Sequence, residues 1–171
     1  MHAKTLCVLP SYLLTAVLAA SAQDKRPGLY EMTITTATVS PERKSSRSEG
    51  VHPVRTIQVC LSQQMLDRYG AIVPEYLANV CQLINVAKNA QGMTADMVCS
   101  GHLTGKGTIV VNWIDSEHSK GKIHFSGTMR PGEDAFKIEW NTDTTATYKG
   151  PDCGELKPTA PAPTPAPVSP Q

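Results

Sequence analysis

Phe136-Lys137-Ile138-Glu139-Trp140-Asn141 sets an aromatic or aliphatic side chain at every second position and a charged or polar one between each pair. A period of two marks a strand with one buried and one wet face, because successive side chains leave an extended chain on opposite sides. The pattern recurs N-terminally. Ile123 and Phe125 sit between Lys122, His124 and Ser126, while Ile109, Val111 and Trp113 alternate with Val110, Asn112 and Ile114. Ile57, Val59 and Leu61 form another such run, and Tyr30, Met32 and Ile34 alternate with Glu31, Thr33 and Thr35. Strands are also expected over residues 82–88 and 94–100, joined by a turn at Asn89-Ala90-Gln91-Gly92, and in a Thr-rich continuation to Tyr148.

The connections are polar. Residues 40–50 are rich in Ser, Arg and Glu, residues 116–121 form a polar turn, and Arg130-Pro131-Gly132-Glu133 is a turn signal. Ser62 is placed to cap a short helix through Gln63, Met65, Leu66 and Tyr69, ended by Gly70 and Pro74, with another helical turn over residues 74–80. The expected fold is therefore mainly β: a curved antiparallel meander of about seven strands, half-barrel or barrel-like, with one short helical insert. A two-sheet sandwich is the alternative.

Outside this block the composition changes. Residues 1–22 read as a cleaved signal peptide. His2 and Lys4 precede an apolar stretch over residues 6–20, and Ala20-Ser21-Ala22 supplies a small-x-small cleavage site before Gln23. The apolar run contains Pro10, Ser11 and Tyr12 and falls short of the 18–20 or so residues that a span needs. Residues 155–171 are built largely from Pro, Ala and Thr, a composition that cannot bury enough apolar surface to offset its ordering entropy, so a disordered tail is expected. One domain remains over residues 23–154. Lys4 leaves with the signal, so 15 basic residues face 15 acidic ones. That balance gives no electrostatic footprint for nucleic acid or anionic lipid, and nothing after residue 22 is long and apolar enough to form a transmembrane segment.

Cys60, Cys81, Cys99 and Cys153 survive signal removal, an even number with no C-x-x-C spacing. That is the arithmetic of two disulfides rather than of a redox dithiol or a zinc knuckle. Cys60–Cys81 with Cys99–Cys153 is the favoured pairing, because the first bridge would staple the insert and the second would pin the last strand. Cys81–Cys99 with Cys60–Cys153 stays open, since the turn at residues 89–92 would bring Cys81 and Cys99 nearly opposite each other.

No group reads as catalytic. His52, His102, His118 and His124 lack metal-ligand spacing, although His118 and His124 could approach across the predicted turn. Gly101-His102-Leu103-Thr104-Gly105-Lys106-Gly107-Thr108 is one residue short of a phosphate loop, and no helix follows it, so its glycines read as a hairpin or bulge. No G-x-S-x-G occurs, and Glu133-Asp134 reads as a solvated turn. No cofactor or metal is expected. The apolar side of the sheet is the more informative surface. Val111, Trp113, Phe125, Phe136, Ile138 and Trp140 are the candidates for an apolar groove, which the insert, an envelope partner or an apolar small molecule would cover.

These landmarks resemble those of the bacterial domain of unknown function 3617 family. The opening Pro-Gly-x-aromatic-Glu is here Pro27-Gly28-Leu29-Tyr30-Glu31, with Tyr where the family usually has Trp. Cys60-Leu61-Ser62 precedes the short helix, Cys81 stands alone, Cys99-Ser100-Gly101 follows, and Gly150-Pro151-Asp152-Cys153 closes the domain, with Pro151 as a departure. The resemblance covers residues 26–154 and implies a Gram-negative, periplasmic setting. It carries over no catalytic residue. The expectation is thus a non-enzymatic periplasmic binding or interaction domain. A structural envelope protein without a small-molecule ligand is the alternative, and an unrecognised hydrolase the least favoured.

Overall fold

A computed structural model describes residues 25–39, 50–73, 80–130 and 135–161. The expected signal peptide, the polar loop at 40–49, the helical turn at 74–79, the turn residues 131–133 and the tail residues 162–171 lie outside the described residues.

Strands β1 (Gly28–Val39), β2 (Gly50–Val51) and β3 (Arg55–Leu61) lead into helix α1 (Gln63–Tyr69). Five further strands follow: β4 (Cys81–Asn89), β5 (Gly92–Cys99), β6 (Leu103–Trp113), β7 (His118–Met129) and β8 (Phe136–Gly150). All pair antiparallel in one unclosed sheet of order β2-β1-β8-β7-β6-β5-β4, with β3 also on β1, beside β2. Seven strands are long and β2 has two residues, so the expected antiparallel meander stands and the sandwich does not. The strands from β4 to β8 are sequential hairpins. The N-terminal β1 then closes onto β8 along eleven paired positions, from Leu29↔Gly150 to Val39↔Glu139.

The registers line the alternating apolar residues up into rows on one face. Ala95, Ile109, Ile123, Thr142 and Thr36 form one row across β5, β6, β7, β8 and β1. Met97, Gly107, Phe125, Trp140 and Thr38 form the next. Gly107 and Gly127 make room in this face. A Cβ on Gly127 would stand 2.6 Å from Phe125 Cζ and 2.3 Å from the Thr104 carbonyl oxygen, so the Phe125 ring lies where a side chain would otherwise be.

Helix α1 has the caps its sequence demands. Ser62 Oγ accepts from Met65 N–H at 3.1 Å, and Gly70, left-handed at φ 65°, donates its N–H to Leu66 O at 2.7 Å. The insert buries Met65, Leu66, Tyr69, Ala71, Ile72 and Val73 against the sheet core. The larger of these side chains stabilise by about 1.5–3 kcal/mol each. Trp113 Nε1 donates to Gly70 O at 2.7 Å within the core, and so ties the insert to the end of β6.

The disulfides are Cys81–Cys99 and Cys60–Cys153, which corrects the favoured pairing. Cys81 and Cys99 are direct partners across the β4–β5 hairpin, and Ser100 N–H donates to Val80 O just outside them. That bond places the cysteines at a non-hydrogen-bonded pair, where facing side chains come closest. Cys60 lies opposite Leu29 of β1, and Leu29 lies opposite Gly150 at the end of β8. The chain leaving β8 therefore needs only to cross β1 to reach Cys60. Sheet order decides the pairing, and it puts β3 on the far side of the sheet from β4.

The start of the expected tail also differs from expectation. Pro158 forms a parallel bridge with Cys60, Thr159 N–H donates to Cys60 O at 2.8 Å, and Thr159 Oγ1 accepts from Ser62 N–H at 3.4 Å. With Cys153 tethered to Cys60, residues 154–157 have only a short path to span, and little entropy is left to resist docking.

Candidate functional site

The six residues expected to form an apolar groove fall into two groups. Val111, Trp113 and Phe125 are buried in the core that the insert caps. They are packing residues, not groove residues: Trp113 is tied to the insert through Gly70 O, and Phe125 is covered by the Trp140 ring. Phe136, Ile138 and Trp140 are only half-buried and line a cavity of about 410 Å³ toward the other end of the same face. Among the described residues its remaining walls are Thr36, Thr38, His52, Met129 and Thr142, with none from the insert.

Register explains why these side chains meet. Trp140 lies opposite Thr38 on β1 and Phe125 on β7, and Thr142 lies opposite Thr36, so all five project from one face. The Trp140 ring stacks on Phe125, with centroids 4.1 Å apart and planes 20° off parallel. Buried Phe125 thus fixes the indole from behind and leaves its other side toward the cavity. The hydroxyls of Thr36 and Thr142 share a hydrogen bond of 3.0 Å. His52 Nε2 and Thr38 Oγ1 are 2.9 Å apart, and His52 N–H donates to Thr36 O at 2.8 Å, which holds the imidazole at the polar end. The cavity is an aromatic and aliphatic slot with a rim of hydroxyls and one imidazole.

Thr36, Thr38, Thr142, Met129 and His52 were not singled out for this site. The available signal was the even spacing of Thr36 and Thr38 with Met32 and Ile34, which puts them on the apolar face.

A second cavity of about 360 Å³ lies between β3, Ile72–Val73 and the docked segment at Leu156–Thr159. It shares no wall residue with the Trp140 slot.

The other titratable groups are held apart. His118 and His124 lie on one strand, β7, and six residues of extended chain separate them by about 20 Å. They do not approach each other across a turn. His118 Nδ1 contacts the Asp115 carboxylate at 2.9 Å, and His124 Nδ1 contacts Asn141 Oδ1 at 3.0 Å. Backbone N–H donation from Glu117 and the bond to His118 hold the Asp115 carboxyl below its usual range. Burial pushes the Tyr30 hydroxyl up to about 12, helped by the neighbouring Tyr148 phenol. Burial first, and Lys88 second, pull Lys25 down. Among the described residues no group of three or more His, Cys, Asp or Glu side chains is placed to hold a metal ion. No described helix is long and apolar enough to cross a membrane.

The two disulfides are compatible with an oxidising, exported location. No curated protein and no solved structure matches the chain. A family model described as a protein of unknown function (DUF3617) matches residues 25–153, which spans the whole sheet, the insert and both disulfides, and the chain belongs to that family.

Proposed function

We propose that the domain is a non-enzymatic binding module of the periplasm, exported through the signal at residues 1–22, that holds a small apolar molecule in the Trp140 slot. The observation that carries this reading is the half-burial of Phe136, Ile138 and Trp140 around a cavity of about 410 Å³, at the end of the face away from the insert. Large apolar side chains kept partly in water are costly unless something covers them, and a cavity of this size suits a small organic molecule. The hydroxyl–imidazole contact at Thr38–His52 supports binding over hydrolysis. Among the described residues no carboxylate partners His52 Nδ1, so none of them sets the ring up as a general base.

The test is fluorescence titration of the oxidised protein with the uncharged probe phenylnaphthylamine, together with native mass spectrometry of protein taken from its own periplasm. Enhanced probe emission that Trp140→Ala abolishes is the expected result. No probe binding, and a bare protein mass, would sink the reading.

A structural envelope role is the second reading. It is favoured by the docking of Pro158 and Thr159 on β3, which fixes where the Pro/Ala-rich chain leaves the domain. Deleting residues 162–171 would then change the envelope proteins that co-purify, and an unchanged set would count against it.

A further inference from the structure

We propose that the Trp140 slot takes an amphiphile with a medium-length acyl body and a single carboxylate head, the head being held by Arg55 with His52 beside it. This rests on the slot being a binding site and adds the class of ligand. A further cavity of about 350 Å³ adjoins the slot, lined by Ile34, Thr36, His52, Pro53 and Arg55. Thr36 and His52 line both cavities, so the two form one groove that runs from Trp140 past the imidazole to the guanidinium.

The register places Arg55 on the apolar face. It lies directly opposite Ile34, as Ile57 lies opposite Met32 and Val59 opposite Tyr30. An arginine in that row interrupts the pattern of its own strand, where Ile57 and Val59 follow it on the same face. Across the groove the polarity rises in one direction. Phe136, Ile138 and Trp140 stand at one end, threonine hydroxyls in the middle, and the Arg55 guanidinium at the other. Among the described residues no acidic side chain lines either cavity and none forms an ion pair with Arg55. Only one ring nitrogen of His52 is engaged, by Thr38, so Nδ1 has no protein partner among the described residues.

A guanidinium matches a carboxylate in two parallel hydrogen bonds. From Trp140 on β8 to Arg55 on β3 is a shift of four residues along the strands and two strand spacings across, roughly 16 Å for a flat sheet. That is the length of a medium acyl chain with its head group. The charge complementarity therefore selects an anion at one end only, and the apolar walls select the chain.

The experiment displaces phenylnaphthylamine from the oxidised protein with dodecanoate and with dodecanol, both below micelle-forming concentrations. Dodecanoate should displace the probe at about tenfold lower concentration, the scale of a hydrogen bond to a charged group. Arg55→Gln should remove that advantage and leave dodecanol and the probe unaffected, while Arg55→Lys keeps part of it. Urea midpoints of the two variants, expected to match the parent because Arg55 is exposed, confirm that each is folded. Probe binding that Trp140→Ala abolishes, with acid and alcohol displacing equally, would overturn the ligand class and leave the slot standing. Absence of probe binding would overturn both. A concentration-dependent dimer that excludes the probe and resists dodecanoate would assign the face to a second copy of the chain.

Discussion

Trp140 stacks at 4.1 Å on Phe125, a partly exposed ring resting on a fully buried one. Phe125 in turn lies over Gly127 and Gly105, where any Cβ would stand within 2.8 Å of its ring. The orientation of the slot's largest wall is therefore set two layers down, by the absence of side chains on β6 and β7.

Gly127→Ala tests that dependence. The new methyl would meet Phe125 Cζ and the Thr104 carbonyl oxygen, and backbone cannot yield as a side-chain end can. The expected loss is about 1–3 kcal/mol in urea unfolding, accompanied by weaker probe binding at Trp140. An unchanged probe affinity would show that the Phe125 ring does not position the indole.

The two tryptophans should separate cleanly. Trp113→Ala empties a buried site and leaves Gly70 O without its donor, a loss of about 3–5 kcal/mol. Trp140→Ala should cost about 1–2 kcal/mol, since the ring is already half in water. Urea midpoints measure both. Equal losses would mean that Trp140 is ordinary core.

Non-reducing peptide mapping should recover Cys81 linked to Cys99 and Cys60 linked to Cys153. The bridges close spans of 18 and 93 residues. In the chain-entropy view these stabilise by about 3 and about 4.6 kcal/mol. Replacing Cys60 and Cys153 by alanine should therefore lower the unfolding free energy more than replacing Cys81 and Cys99.

Tyr30 makes stability fall in strong alkali. Its hydroxyl is buried, donates to Arg26 O at 2.8 Å, and is pushed up to about 12. An unfolded phenol ionises near pH 10. Below that pH the contribution is complete. As pH rises from about 10 toward 12 the unfolded chain loses its proton first, and roughly 3 kcal/mol of stability is lost. Urea midpoints at pH 9 and pH 11 should show this slope in the parent and a flatter one in Tyr30→Phe. Parallel slopes would refute it.

Strand identity and the insert were legible because both rest on local rules. Period-two runs gave β1, β3, β6, β7 and β8, and Ser62 with Gly70 gave both ends of α1. The cysteine pairing was legible only as the alternative that the turn at residues 89–92 left open. It depends on which strands are neighbours, and nothing local shows that β1 inserts between β8 and β3. Loop closure favoured stapling Cys60 to Cys81 across the insert, and sheet order overrode it. The slot was half visible. Phe136, Ile138 and Trp140 announce an apolar face by themselves, but Thr36, Thr38 and Arg55 join it only through pairings that span over a hundred residues or a loop. The split between packed and open residues depends on how far seven residues of helix reach, which composition does not state.

The docked segment after Cys153 has a consequence for solubility. An unclosed sheet keeps two rims of unsatisfied main-chain donors and acceptors, each a template on which another copy can nucleate a longer ribbon. At the β4 rim the ladder breaks between Ile84 and Ala87, with Asn85 twisted to φ 53°. At the β3 rim the protein's own chain covers the Cys60 end, and it does so at Pro158, which has no N–H to pass the ladder outward. The docked segment at Pro158 and Thr159 thus blocks strand addition at that end of β3, and a chain stopped at Cys153 is expected to scatter light at concentrations where the full chain stays clear.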